Sequence, residues 1–235
     1  MRALTFALLS LLATPAMAQT VTARPEEAPL RFTVGVDAQV RGHTDRSYRL
    51  FGTGRTSVEG GVSGTVAVAR LGRGFLDLGA GLSYSTDSGR WEEVNEATRE
   101  QLVPSISAQV RWPVTRWLEP HVRVAGDLTS AKLEVNLSGR IYEDHVWTPG
   151  ASAGAGFRLR TPAISSIATG GGLRFAGALV FEGGMHVGPP LSFDLQRQAP
   201  ADAKIAADQI PTAPTAVGDL GRTEPYARIS FALLF

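Results

Sequence analysis

Cysteine is absent from the 235 residues. Neither a disulfide nor a thiolate metal site can therefore be built. Lysine is almost absent as well: Lys132 and Lys204 are the only two, so nearly every cation is an arginine, suited to bidentate pairing with carboxylate or phosphate. No charge of one sign dominates. The chain has 23 Lys and Arg against 22 Asp and Glu, and loss of Arg2 with a leader would leave 22 against 22. That balance offers no global field for nucleic acid or an acidic polymer. Long apolar runs are missing too. Ala3 to Ala13 is too short to span a bilayer, and no stretch carries the period of a long amphipathic helix.

Arg2, the apolar run after it, and Thr14-Pro15-Ala16-Met17-Ala18 together have the layout of a secretory signal peptide. The expected organisation is a signal peptide at 1–18, a periplasmic segment at 19–30 and one domain at 31–235. From Arg31 onward the chain repeats one theme, a run of period two followed by a connection. Phe32, Val34, Val36, Ala38 and Val40 alternate with Thr33, Gly35, Asp37 and Gln39. Similar runs occupy Val58 to Arg70, Phe75 to Thr86, Leu102 to Trp112, Leu118 to Thr129, Trp147 to Arg160, Leu173 to Val187 and Tyr226 to Phe235, which makes eight. The connections expected between them alternate. Gly42 to Arg55, Asp87 to Gln101, Ser130 to His145 and Gly188 to Arg222 are long, whereas Leu71 to Gly74 and Pro113 to Trp117 are short. Short turns on one side, longer loops on the other and an even strand number describe an outer-membrane barrel.

A soluble lipocalin-like carrier also alternates, with its apolar face inward. Three features favour the inverted arrangement. The polar faces mix Gly, Ala and Ser with a few large charges, which suits a crowded eight-stranded lumen. Trp112, Trp117 and Trp147 fall at expected strand ends, where indoles collect at the hydrocarbon–headgroup boundary. The last strand, YARISFALLF, sets Ile229, Phe231, Leu233 and Phe235 at alternate positions, and in lipid such a strand must pair so that the sheet closes. This ending looks like the assembly signal of bacterial outer-membrane proteins, and the whole of 31–235 resembles the small eight-stranded barrel class of the OmpA membrane domain, OmpX and OmpW. The resemblance implies an all-β, eight-stranded antiparallel up-and-down transmembrane barrel in the bacterial outer membrane. It implies outer-membrane lipid and lipopolysaccharide as partners. It also implies recognition of Ile229, Phe231, Leu233 and Phe235 by the barrel-assembly machinery.

The inward set contains Asp37, Glu59, Asp77, Glu119, Asp127 and Glu182 against Arg111, Arg123, Arg158, Arg174 and Arg228, with His121 among them. Buried charges at this density must pair. If Trp112 and Leu118 are opposite, Arg111 reaches Glu119, Gln109 meets His121 and Ser107 meets Arg123. A lumen plugged by paired charges is expected, with a narrow channel for small solutes or apolar compounds as the alternative. No enzyme is expected. Residues six apart on a strand lie about 20 Å apart, so Asp127 cannot orient His121 for nucleophilic chemistry. His43 with Asp45, and Glu143-Asp144-His145, are the nearest approaches to a metal set, and neither metal nor cofactor is expected. Gly72-Arg73-Gly74 and Gly170-Gly171-Gly172 precede no helix, so neither is a phosphate loop. The Gly188 to Arg222 connection and the outer arginines are the expected seat of any surface binding.

Overall fold

The computed structural model describes residues 31–45, 56–91, 95–137, 140–162, 164–165, 174–197 and 215–235; the expected leader and the segment 19–30 lie outside them. Period-two alternation becomes strand wherever a neighbour supplies the ladder. Eight strands do this: β1 (Phe32–Gly42), β2 (Thr56–Leu71), β3 (Gly74–Trp91), β4 (Asn95–Arg111), β5 (Leu118–Leu137), β6 (Arg140–Arg160), β8 (Arg174–Arg197) and β9 (Thr215–Leu234). A two-residue bridge, β7 (Ile164–Ser165), touches only the start of β8. Each long strand runs antiparallel to its sequence neighbour, β6 pairs with β8, and β9 pairs back onto β1. At that seam Phe32 and Phe235 exchange both backbone hydrogen bonds, at 3.2 and 2.8 Å. The sheet is a closed antiparallel ring of eight strands, so among them no edge is left to pair with a stranger.

The faces are those of a barrel turned inside out relative to a soluble one. Val34, Val36, Val62, Ile106, Val124, Phe231 and Leu233 are exposed on the outer wall, Ile106 by 72%. Glu59, Asp77, Glu119, His121, Arg158 and Glu182 are buried inside. The lipocalin-like alternative is therefore set aside, since its apolar side would face inward. Two tight places depend on glycine. Gly72 turns the β2–β3 hairpin at φ 62°, in the left-handed region. A Cβ at Gly156 would strike the carbonyl of Phe181, so β6 and β8 approach only because that position lacks one.

The strands run past the expected ends. Asp87 to Gln101, Ser130 to His145 and Gly188 to Arg222, expected as long loops, are in large part ladder: Asp87 pairs with Arg99, Lys132 with His145 and Leu191 with Leu220. The reason is a reversal of polarity. On β5 the outer residues change from Val122, Val124 and Leu128 to Ser130, Lys132 and Glu134. The inner ones change from His121, Arg123 and Asp127 to Ala131, Leu133 and Val135. On β8 the change comes after Val187, at a bulge holding Pro189 and Pro190, which have no N–H to give the ladder. Above that level Ala97, Ala131, Leu133, Val135, Leu191, Phe193, Leu195 and Leu220 pack into a core of their own, with Tyr142 and Val146 against it. The outer end is thus a crown built like a water-soluble sheet. At the short-turn end a second small apolar cluster, Ala176, Ala178, Ala232 and Leu234, lies where β8 and β9 pair.

One register differs from expectation. Arg111 lies opposite His121 and Gln109 opposite Arg123, not Gln109 opposite His121 and Ser107 opposite Arg123. The hairpin closes with the Trp112 N–H on the Pro120 carbonyl and the Val114 N–H on the Leu118 carbonyl. The shift is two residues, an even number, so every side chain keeps its face.

Candidate functional site

The chemistry-bearing residues form three layers across the bore. In the layer nearest the short turns, Arg111 Nε donates to Asp77 Oδ2 at 2.7 Å and Nη1 to Glu119 Oε2 at 3.2 Å. Glu119 also takes Arg158 at 3.5 Å and Arg160 at 3.6 Å. The Arg111 guanidinium lies 4.5 Å over the Phe75 ring, which fixes its plane. Arg111 therefore meets Glu119 on the diagonal, one step along the ladder from its direct partner.

Glu182 holds the middle layer. It accepts from Tyr226 Oη at 2.8 Å and Arg228 Nη2 at 2.7 Å, with His121 Nε2 at 3.2 Å and Arg123 Nη1 at 3.5 Å. These groups come from three strands, β5, β8 and β9. A cavity of about 60 Å³, lined by Asp37, Glu59, Arg123, Asp127 and Arg228 among others, remains beside them. That is room for a few waters. Asp37 faces this cavity and its Oδ1 has no hydrogen-bond partner.

The upper layer was only half legible in advance. Asp127 takes His186 Nε2 at 3.0 Å and Arg222 Nη2 at 3.3 Å. Arg222 also donates to Thr129 Oγ1 at 2.6 Å and to the Pro149 carbonyl at 2.9 Å. The latter carbonyl sits where the β6–β8 ladder is interrupted between Glu143 and Ala151, so the guanidinium satisfies backbone that the sheet does not. Glu224 receives His43 Nδ1 at 2.7 Å and Arg41 Nη1 at 3.6 Å, and Arg41 Nε reaches Glu59 at 2.9 Å. Arg41, His43, Arg222 and Glu224 were not in the expected set, although each keeps the parity of the inward row on its strand. Arg174 lies in β8, but its side chain is outside those described.

The histidines thus pair across the bore, His121 with Glu182 and His186 with Asp127, rather than along their own strands. One contact chain has the order of nucleophilic catalysis: Ser57 Oγ lies 3.0 Å from His43 Nε2, and His43 Nδ1 lies on Glu224. Ser57 is 2% exposed, so its hydroxyl meets no substrate. A fluorophosphonate probe is expected to leave the folded barrel unlabelled, and labelling lost in Ser57→Ala would reverse that reading. Among the described residues no three metal-ligating groups converge; His145, expected near a metal set, sits outside on Ser130 Oγ at 2.6 Å.

The outer wall decides what surrounds the molecule. A girdle of exposed Val, Leu, Ile and Phe circles the ring, with Trp112 and Trp117 at its short-turn rim and Trp147 at the other. Ile229, Phe231, Leu233 and Phe235 stand on this same wall. Inside it, every layer is charged. This is a membrane-spanning barrel. No protein-family model matches the chain, and no curated protein matches it. Solved structures align along most of its length. Neisserial surface protein A aligns at TM-score 0.45 and 9% identity, over 86% of this chain and 95% of that one. Ail, the attachment invasion locus protein of Yersinia pestis, aligns at 0.42 and 6%, over 87% and 95%. The transport unit of the autotransporter AIDA-I from Escherichia coli aligns at 0.36 and 8%, over 98% and 97%.

On the crown's outer surface Lys132 Nζ bridges Glu143 at 3.0 Å and Glu134 at 3.7 Å. The hydrogen bond that Lys132 donates to Glu143 raises the lysine above its ordinary range. A raised folded-state value means that the pair stabilises fully at neutral pH and is lost as pH climbs past the usual lysine value. The pair is well exposed, so Lys132→Ala is expected to change chemical-denaturation stability by under ~1 kcal/mol, and by less in high salt.

Proposed function

We propose that the protein is a non-conducting integral barrel of the bacterial outer membrane, serving as a structural and surface-binding scaffold. One observation carries this: three layers of paired charges occupy the lumen in series. A narrow channel would need those pairs to part. The crown's polar outer face, beyond the Trp147 rim, supports a role in contacting lipopolysaccharide and extracellular surfaces. Ile229, Phe231, Leu233 and Phe235 form the strand face offered to the barrel-assembly machinery, and their exposure on β9 beside the β1 seam supports that role. No enzymatic step is assigned, because the Ser57–His43–Glu224 chain found among the described residues is buried.

Single-channel recording on refolded protein in planar bilayers tests the reading. No step conductance above the bilayer background is expected. A steady ohmic channel would overturn the scaffold reading and restore the pore. Boiled and unboiled samples run side by side establish that the recorded protein is folded, since a closed membrane barrel migrates faster before heating.

A further inference from the structure

Although the whole chain is nearly neutral, the described side chains are not evenly spread along the barrel axis. On the short-turn rim Arg31, Arg70, Arg73 and Arg116 are exposed. Among the described residues no carboxylate side chain stands exposed beside them. The two nearest, Asp77 and Glu119, are buried and engaged by Arg111, Arg158 and Arg160. At the opposite end the described side chains are mixed in sign, with Glu100, Asp194 and Arg140 exposed and Glu134 and Glu143 sharing Lys132.

The four arginines are not scattered. Arg70 Nε is held on the Gly72 carbonyl at 3.2 Å, which keeps its head at the β2–β3 turn. That turn abuts Trp112, for a Cβ on Gly74 would come 2.9 Å from the indole. Trp117, beside Arg116, accepts the Arg160 N–H through its carbonyl at 2.8 Å. The arc therefore spans the β2–β3 and β4–β5 turns, and Arg31 joins it at the start of β1, where its carbonyl accepts the Ala67 N–H at 2.8 Å. Trp112 and Trp117 are both exposed, and exposed indoles on a membrane wall sit at the hydrocarbon–headgroup boundary. Arg73 and Arg116 stand at that depth, where the abundant anion is a lipid phosphodiester.

We propose that this arc of arginines binds the phosphodiester headgroups of anionic phospholipids in the leaflet that meets the short turns. The inference rests on the membrane-barrel reading above. Guanidinium forks suit phosphate oxygens, and each cation near an anionic membrane surface strengthens attraction about fivefold. The arc would order a shell of anionic lipid on one side of the barrel only, and so fix the depth at which it rides.

The test uses the full chain with W91F and W147F, so that fluorescence comes from Trp112 and Trp117 at this rim. The protein is refolded into vesicles containing increasing fractions of brominated phosphatidylglycerol or brominated phosphatidylcholine, and indole quenching is read. Half-quenching is expected at a several-fold lower fraction of the anionic lipid. Adding R70Q, R73Q and R116Q is expected to merge the two curves while the cold-to-hot gel shift persists. Equal quenching by both lipids, or a preference that survives the triple change, overturns the proposal. So does loss of the preference in millimolar inorganic phosphate, which would mark a reader of free phosphate. Binding to purified peptidoglycan that R70Q/R73Q/R116Q abolishes, with the two lipids quenching alike, would give the arc to the cell wall instead. If neither lipid quenches, the rim is not in a membrane and the barrel reading itself fails.

Discussion

Glu182→Ala is expected to lower the stability of the refolded barrel by about 3–5 kcal/mol, because the change leaves buried donors without their acceptor. Glu182 is the single carboxylate on which Tyr226, Arg228, Arg123 and His121 converge, and it is 4% exposed. Removing it orphans two guanidinium groups in the middle of the bore, where the cavity beside Asp37 admits only a few waters. The measurement is the urea midpoint in detergent or lipid, read by the loss of the fast-migrating band. Glu182→Gln keeps one acceptor oxygen for Tyr226 and should fall between wild type and alanine. The decisive comparison is the double change Glu182→Ala with Arg228→Ala. If orphaned charge is the cause, the pair will be more stable than the sum of the single effects predicts. A single Glu182→Ala variant within 1 kcal/mol of wild type would show that water satisfies this layer and that the pairs are not what holds it.

The barrel itself was legible because its sequence carries two unlike faces over eight runs. Parity separates Val34, Ile106 and Phe231 from Glu119 and Glu182, and the rim tryptophans, the crowded polar faces and the apolar closing strand point the first set outward. Register was less legible. The β4–β5 hairpin is expected to set Trp112 opposite Leu118, but the Trp112 N–H bonds the Pro120 carbonyl, and a turn of that length has no single sequence signature. The two-residue slip left the faces untouched, which is why Arg111 still meets Glu119 although Gln109 meets Arg123. What the pattern concealed was the crown. Ser130, Lys132 and Glu134 look like loop to an eye that expects the outer face to be greasy. They are strand, with Ala131, Leu133 and Val135 on the inner side. Alternation survives the membrane boundary; only its sign changes. The upper charge layer was hidden for the same reason, since Arg222 ended an expected loop and Glu224 lay between it and the closing strand expected from Tyr226. Partners across the bore were beyond any reading of one strand, because His186 and Asp127 lie 59 residues apart.

That change of sign makes Phe193 the most informative residue outside the charge layers. It is 2% exposed and packs with Leu191, Leu195 and Leu220 from the β8–β9 pair against Leu133 and Val135 of β5. Phe193→Ala removes a ring from that core and should cost about 3–5 kcal/mol of the crown's stability. The loss will stay local. The bulge at Pro189 and Pro190 and the interrupted β6–β8 ladder separate the crown from the wall below, so the crown can open while the barrel stays closed. On intact cells or outward-facing vesicles, external protease should cut the variant within 188–197 or 215–222 at least a hundredfold faster than wild type, since a 3 kcal/mol loss raises an open population by roughly that factor. The protected membrane portion should keep its cold-to-hot shift. Conductance should stay absent, because the charge layers centred on Glu182, Glu119 and Asp127 still occupy the lumen. Unchanged proteolysis would mean the crown is not an independent unit. Loss of the gel shift together with crown cleavage would mean that the apolar core above the membrane and the charged layers within it fold as one.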